Sequence, residues 1–310
     1  MSITGAFRQH FSTGDDRVAD VIRFTPNPIT AGSTWAAGDS ATIRTTVNAF
    51  GGDAGKSTAL LSLWIYPLQL SGQTSSTIQT IYSNYDTTPT PDGWPAGTTL
   101  DDKLQYYMRL QDGKLDIKFF RRRLNDSSTT ITYNQWNHIL LSASIAAGSA
   151  NAHKADLFHL AVNGSVRTYD YTGGNTTNDF GADYDLSSGS DTLLSSDNVM
   201  AFTWGAQATI QDDGPDGSGT VASYYKNNFY GDMFQFYMDN EYLDITQQSN
   251  RDMFYDSGSH VPYLDLFDGS TAPAPLVKIT DGRVFNSGSN TAINTSLARN
   301  NVSKSPTAKP

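Results

Sequence analysis

The sequence predicts an all-β fold with little helix, and three observations carry that prediction. The acidic residues are almost all aspartate, with Glu241 the only glutamate in 310 residues, and aspartate favours turns and caps over helix interiors. Gly, Ser, Thr, Asn and aromatic residues are abundant, which is the composition of strands joined by polar loops. Apolar residues recur with period two between strong turn signals, the pattern of antiparallel strands.

Taken in order, residues 1 to 38 have no clear period and hold the turn-rich run FTPNPITAGSTWAAGD, with one strand expected within Val18 to Phe24. From Ser40 the run ATIRTTVNAF alternates, placing Ile43, Thr45 and Val47 on one face and Thr42, Arg44 and Thr46 on the other. The next stretch, GGDAGKST, has the Gly55, Lys56 and Ser57 of a phosphate-binding loop. Phe50, however, stands where that motif needs its first glycine, and Thr58 to Tyr66 reads as a buried strand ended by Pro67 where the motif needs a helix. It is therefore read as a turn between two strands. Leu60 to Tyr66 is apolar on both faces, as expected for a central strand covered on both sides.

A long insertion, SNYDTTPTPDGWPAGTTLDD, separates STIQTIYS from LQYYMRLQDGKLDIKFFRRRL. The latter is a hairpin in which Tyr106, Met108 and Leu110 on one strand answer Leu115, Ile117 and Phe119 on the other across Gln111-Asp112-Gly113-Lys114, Asp-Gly being a strong turn signal because glycine accepts positive φ. WNHILLSASIA and ADLFHLAVNGSVRTYDY follow, the second a hairpin turning at Asn163-Gly164. VMAFTWGAQATI and NFYGDMFQFYMDN are the last clear strands. One helix is expected over Thr246 to Phe254, capped by Asp244 or Thr246 and closed near Gly258. From Phe285 onward the chain holds few apolar residues and is expected to be flexible or to order on a neighbour.

Charge and composition narrow the function. A net charge of −10 repels a polyphosphate partner, so nucleic acid is not expected. No cysteine is present, so disulfides and thiolate metal sites are excluded. No stretch has the apolar length of a membrane-spanning helix, and the N-terminal MSITGAFRQHFSTGDD lacks the basic start and apolar run of a secretory address.

The order of these segments resembles the concanavalin A-like jelly roll, in particular its laminin-G-like branch. The matching pieces are STALLSLWIYP, QWNHILLSAS opening with Trp136, FHLAVNGSVRTY, FTWGAQA and FYGDMFQFYMDNEYLDITQQSNRDMF. The resemblance implies a sandwich of two antiparallel sheets whose interior is closed by the Trp64, Trp136 and Trp204 segments. A second resemblance lies in NRDMFYDSGSHVPYLDLFDGSTAPAPLVKI, which is similar to the segment closing such domains in tailed-bacteriophage virion proteins. It departs from that pattern at Ser257 to His260 and at Leu266-Phe267. The expected organisation is an N-terminal arm over 1–38, a jelly roll over 39–257, a C-terminal extension over 258–284 packed on it, and a tail over 285–310.

That superfamily contains glycosidases, so catalysis has to be tested on residues. Its retaining members place two glutamates and an aspartate at alternate strand positions, with acid and nucleophile about 5 Å apart. Glu241 alone cannot build that pair, and the alternating Asp183 and Asp185 lie in no convincing strand. His10, His138, His153, His159 and His260 are scattered without metal-ligand spacing, and no G-x-S-x-G elbow occurs. The expectation is therefore that the chain is not an enzyme.

Three groups of residues are candidates for binding. Asp212, Asp213 and Asp216 in QDDGPDGSG offer hard oxygen ligands suited to Ca²⁺, although the same residues also make an ordinary solvated turn. Trp94, Tyr224 and Tyr225 could stack on sugar rings, or equally cap the core or meet another subunit. Arg121 to Arg123 form the one dense basic run, read as an exposed strand end. The resemblances together imply a virion structural protein, a capsid decoration or cement protein or a tail component, assembled in the host cytoplasm. Its implied partners are other virion proteins and copies of itself. A module binding host surface glycan and a divergent glycosidase stand as alternatives.

Overall fold

In a computed structural model of the chain, the residues described are 21–33, 35–36, 41–44, 58–86, 106–119, 122–144, 157–169, 180–182, 200–208, 224–239, 241–259, 261–262, 266, 272, 277–280, 283–286, 302–308 and 310. Its strands are, in order, β1 (Ile22–Phe24), β2 (Trp35–Ala36), β3 (Ile43–Arg44), β4 (Thr58–Pro67), β5 (Ile78–Asp86), β6 (Tyr106–Gln111) and β7 (Lys114–Phe119). There follow β8 (Arg122–Thr130), β9 (Asn137–Ser144), β10 (Leu157–Val162), β11 (Ser165–Tyr169), β12 (Phe180–Ala182), β13 (Met200–Trp204) and β14 (Gln207–Ala208). The chain closes with β15 (Tyr224–Lys226), β16 (Gly231–Asp239), helix α1 (Gln248–Arg251), β17 (Tyr255–Asp256), β18 (Val261–Pro262), β19 (Val277–Thr280), β20 (Arg283–Asn286) and β21 (Val302–Lys304).

Two large antiparallel sheets form a jelly-roll sandwich, as the sequence predicts. The larger runs β11-β10-β9-β4-β16-β1-β21, with β19 paired to β16 and β20 to β19, and the smaller runs β12-β8-β7-β6-β5-β13-β3. Their facing sides share one core. Leu61, Leu63 and Ile65 of β4, Ile139 and Leu141 of β9 and Phe236 of β16 meet Met108 and Leu110 of β6, Leu115 and Ile117 of β7 and Trp204 of β13. Each large side chain so buried contributes roughly 1.5–3 kcal/mol.

Both predicted hairpin turns are present. Met108 pairs with Ile117 and Leu110 with Leu115, while Asp112 and Gly113 take φ of 52° and 68°. Asn163 and Gly164, at 49° and 79°, close β10 onto β11. The predicted run FTWGAQATI is instead broken in two. Gly205, at φ 90°, turns the chain where a Cβ would lie 2.3 Å from the Ala41 carbonyl oxygen and 2.4 Å from the Phe24 ring. That break sends Gln207 and Ala208 into a separate three-stranded sheet, β14-β15-β2.

The predicted helix shrinks to one turn, Gln248–Arg251. Side chains satisfy the polar backbone that a longer helix would have used. Asp244 accepts from the amide and hydroxyl of Thr246, Asn250 donates to the Asp244 carbonyl, and Arg251 donates to the carbonyls of Ile245 and Thr246. The Thr246 hydrogen bonds hold the Asp244 carboxyl below the usual carboxylate range.

The turn places Ile245, Phe254 and Tyr255 on the outer face of the larger sheet. There they join Leu60, Trp64, Leu140, Phe234 and Tyr237 in a second core that also takes in Leu266 and Ala272. Trp64 therefore belongs to this outer core, and Trp136, half-buried, packs against it. The three segments expected to close the sandwich interior do supply it, through Leu61, Leu63 and Ile65, Ile139 and Leu141, and Trp204, but of their tryptophans Trp204 is the one that lies inside. The parity of β4 decides this, because Trp64 alternates with the inward Leu63 and Ile65.

Segments outside the expected jelly roll also build the larger sheet. β1 pairs with β16, β21 pairs with β1, and β19 takes the part of the β16 edge beyond the bulge at Gln235, whose φ is 51°.

Candidate functional site

The outer face of the smaller sheet carries a polar layer whose positions follow from strand alternation. One register row crosses all seven strands, running Arg44, Thr203, Ser83, Tyr107, Lys118, Arg123 and Gly181. In the adjacent row Thr80 pairs with Arg109, Arg109 with Asp116 and Asp116 with Asn125. Tyr107 and Arg109 alternate with the core residues Met108 and Leu110, and Asp116 sits between Leu115 and Ile117, so all three face away from the sandwich interior.

These side chains are buried and joined to one another, with Arg109 only 5% exposed. The Arg109 guanidinium lies 3.8 Å from the centre of the Tyr107 ring, a cation–π contact. Its Nη2 donates to Gln207 Oε1 at 3.0 Å, and Asn227 Nδ2 donates to the same oxygen at 3.0 Å. Tyr107 donates to Asp116 Oδ1 at 3.3 Å, and Ser83 donates to the Ala206 carbonyl. The break at Gly205 brings Gln207 here, linking the three-stranded sheet to β6. A guanidinium cannot be deprotonated in a protein, so Arg109 can orient a carboxylate or hydroxyl but cannot shuttle a proton.

A second feature lies on the opposite side of the molecule, over the larger sheet. A cavity of about 300 Å³ is lined by Trp64, Trp136, His138, Asn163, Tyr255 and Pro310. His138, buried in β9, packs its ring 4.7 Å from Trp64 and 4.6 Å from Tyr255 and hydrogen-bonds Ser62 Oγ through Nε2. The positive φ of Asn163 lets its Oδ1 accept from the His138 amide at 2.8 Å, which ties the hairpin turn to the cavity. Trp136 leans on Tyr66 and Phe234, with ring centres 5.6 and 6.4 Å away.

Most of the residues singled out from sequence are not among those the structure describes. Trp94, Asp212, Asp213 and Asp216 lie outside the described residues, as do Arg121, Asp183 and Asp185. Tyr224 and Tyr225 are in β15, paired with Ala36 and Trp35. Arg122 and Arg123 are in β8 and pair with Phe119 and Lys118. Among the described residues no group of three or more His, Asp or Glu has metal-binding geometry, and no helix is long and apolar enough to cross a membrane. No motif in the sequence marks Tyr107, Arg109, Asp116, Gln207 or Asn227. The hairpin register through Asp112-Gly113 already sets Arg109 opposite Asp116, and that was the one signal available for them.

No protein-family model matches the chain, and no curated protein matches it. Among solved structures it is similar to the native heptameric SAP-like pentraxin from Limulus polyphemus. That match has 15% identity over 74% of this chain and 79% of the other, with a TM-score of 0.35. It is also similar to an endo-β-1,4-glucuronan lyase from the fungus Trichoderma reesei, at 9% identity over 70% and 78% with a TM-score of 0.35. A third likeness is to domain 4 of an extracellular arabinanase from Geobacillus stearothermophilus in complex with arabinotriose, at 14% identity over 73% and 85% with a TM-score of 0.32. What those proteins bind or cleave is a property of theirs.

Proposed function

We propose that this chain is a non-enzymatic structural protein of a tailed-bacteriophage particle, present in several copies and assembled in the host cytoplasm among other virion proteins. The observation that carries this reading is the belt over the larger sheet. The segment whose sequence is similar to the closing segment of tailed-phage virion proteins supplies Phe254, Tyr255, Leu266 and Ala272 to the second core. A closing segment used in this way fastens the sandwich from outside and leaves its loops for display. Mass spectrometry of purified particles, with copy number, tests the reading. The protein is expected in the particle at stoichiometric amounts, and its absence from the particle overturns the proposal.

A second reading, a module that binds host surface glycan, is favoured by the polar layer of the smaller sheet. That layer's donors, acceptors and guanidinium are the groups that suit sugar hydroxyls and uronate carboxylates, and because Tyr107, Arg109 and Asp116 are buried, a glycan would reach them only where their cover gives way. A glycan array with the full chain tests it, and no binding at high protein concentration counts against it. Release of reducing ends or of unsaturated sugars from any bound polysaccharide would overturn the non-enzymatic part of both readings.

A further inference from the structure

The aromatic cavity over the larger sheet is walled on one side by the chain's own last described residues. β21 pairs with β1, Ile22 opposite Lys304 and Phe24 opposite Val302, and the Ser305 amide donates to the Val21 carbonyl at 3.0 Å. Arg23, held in an ion pair by the fully buried Asp232, donates from Nη2 to Thr307 Oγ1 at 2.8 Å. Trp136 Nε1 donates to the Ala308 carbonyl at 2.8 Å. Two residues further on, Pro310 lines the cavity beside Trp64, His138 and Tyr255.

This is the chemistry by which aromatic grooves take proline-bearing peptides. An indole N–H fixes a backbone carbonyl, and the stiff, hydrogen-bond-poor proline ring lies against aromatic faces at low entropic cost. We infer that the cavity is a socket for the segment Ser305 to Pro310 and that, where copies are crowded, the segment of a second copy fills it. The contacts are the same whichever copy supplies them, so local concentration decides between the two sources. Residues 287–301 separate β20 from β21, and a chain of that length reaches up to about 50 Å when extended. That span is comparable with the diameter of a domain of this size. β21 is also the edge strand of the larger sheet, so its exchange unseats no other strand. The exchange rests on the reading of the chain as a multi-copy particle component, whereas the socket does not.

The test uses the full chain in light and isotopically heavy forms, each modified on lysine with an amine-reactive diazirine, mixed at high concentration and illuminated. Lys309 places the reagent on the segment and Lys304 places it immediately before. Links from the segment to peptides containing Trp136 or Asn163 are expected, a substantial share of them joining a heavy copy to a light one. Trp136→Phe keeps a ring but removes the donor and should lower the yield of these links about fivefold, while Thr74→Ala, at an exposed residue that bonds Ser76 and Thr77 and does not line the socket, should leave it unchanged. Links confined to copies of one isotope overturn the exchange, and no segment-to-cavity link at all overturns the socket. Neither result bears on the presence of the protein in particles, which the mass spectrometry decides separately.

Discussion

The two outer faces of the sandwich are covered by different physics. Over the larger sheet Leu60, Trp64, Leu140 and Phe234 are apolar and are sealed by Ile245, Phe254 and Tyr255 from the belt. Over the smaller sheet Tyr107, Arg109, Asp116 and Gln207 are equally buried, yet they are held by hydrogen bonds and a cation–π contact. The first face loses stability in proportion to apolar area, whereas the second loses it when a single partner leaves another polar group unsatisfied.

The largest expected effect is therefore on the belt. Phe254→Ala removes a fully buried ring packed edge-on against Tyr237 at 5.2 Å and should lower unfolding free energy by about 3–5 kcal/mol in denaturant titrations. A loss below about 1 kcal/mol would mean that the belt is not part of the cooperative unit. On the polar face Arg109→Met keeps the volume and strips Gln207 of a donor, and the expected loss is about 1–3 kcal/mol. An effect within about 0.5 kcal/mol would place Arg109 with ordinary surface residues.

Alkali should act on the outer core over the larger sheet and on the sandwich core beneath it. Burial pushes the phenols of Tyr82, Tyr237 and Tyr255 above the usual tyrosine range. A folded-state value above the unfolded one makes their contribution complete below the unfolded value of about 10, and that contribution is lost as pH rises beyond it. Stability should stay level through neutral pH and fall above about pH 10, with tyrosinate absorbance growing in step with unfolding. Absorbance that rises well before unfolding would contradict this. The smallest effect is expected from Asp244→Ala, which removes the side-chain acceptor for Thr246 and should cost about 0.5–1 kcal/mol. Because that carboxyl is held low, its contribution should be present above the ordinary aspartate range and fade as pH falls through it.

The same contrast explains what was legible in the sequence. A run such as TALLSLWIYP is apolar at every parity, so coverage of β4 on both sides could be read directly, and it is covered on both sides. Asp112-Gly113 and Asn163-Gly164 fixed two hairpins because positive φ leaves few other uses for those pairs. Which core Trp64 itself joins was not legible, because a double-sided strand does not say which face meets which core. The helix failed for a related reason. DITQQSNRDMF has helical spacing, but Asp244, Asn250 and Arg251 spend their side chains on the backbone, and Phe254 and Tyr255 are drawn into the sheet's outer core. Gln207 and Asn227 could not be found from sequence at all, since only the break at Gly205 and the pairing of β14 with β15 bring them to Arg109.

The account depends most on the belt being integral to the sandwich, and native-state hydrogen exchange measures that directly. The Asp252 and Phe254 amides, hydrogen-bonded to the Gln248 and Arg251 carbonyls, should exchange as slowly as the amides of β4 and β16, at the rate set by global unfolding. Fast exchange at Asp252 and Phe254 while β4 and β16 stay protected would show a belt that lifts off a sheet stable without it, and would contradict the account.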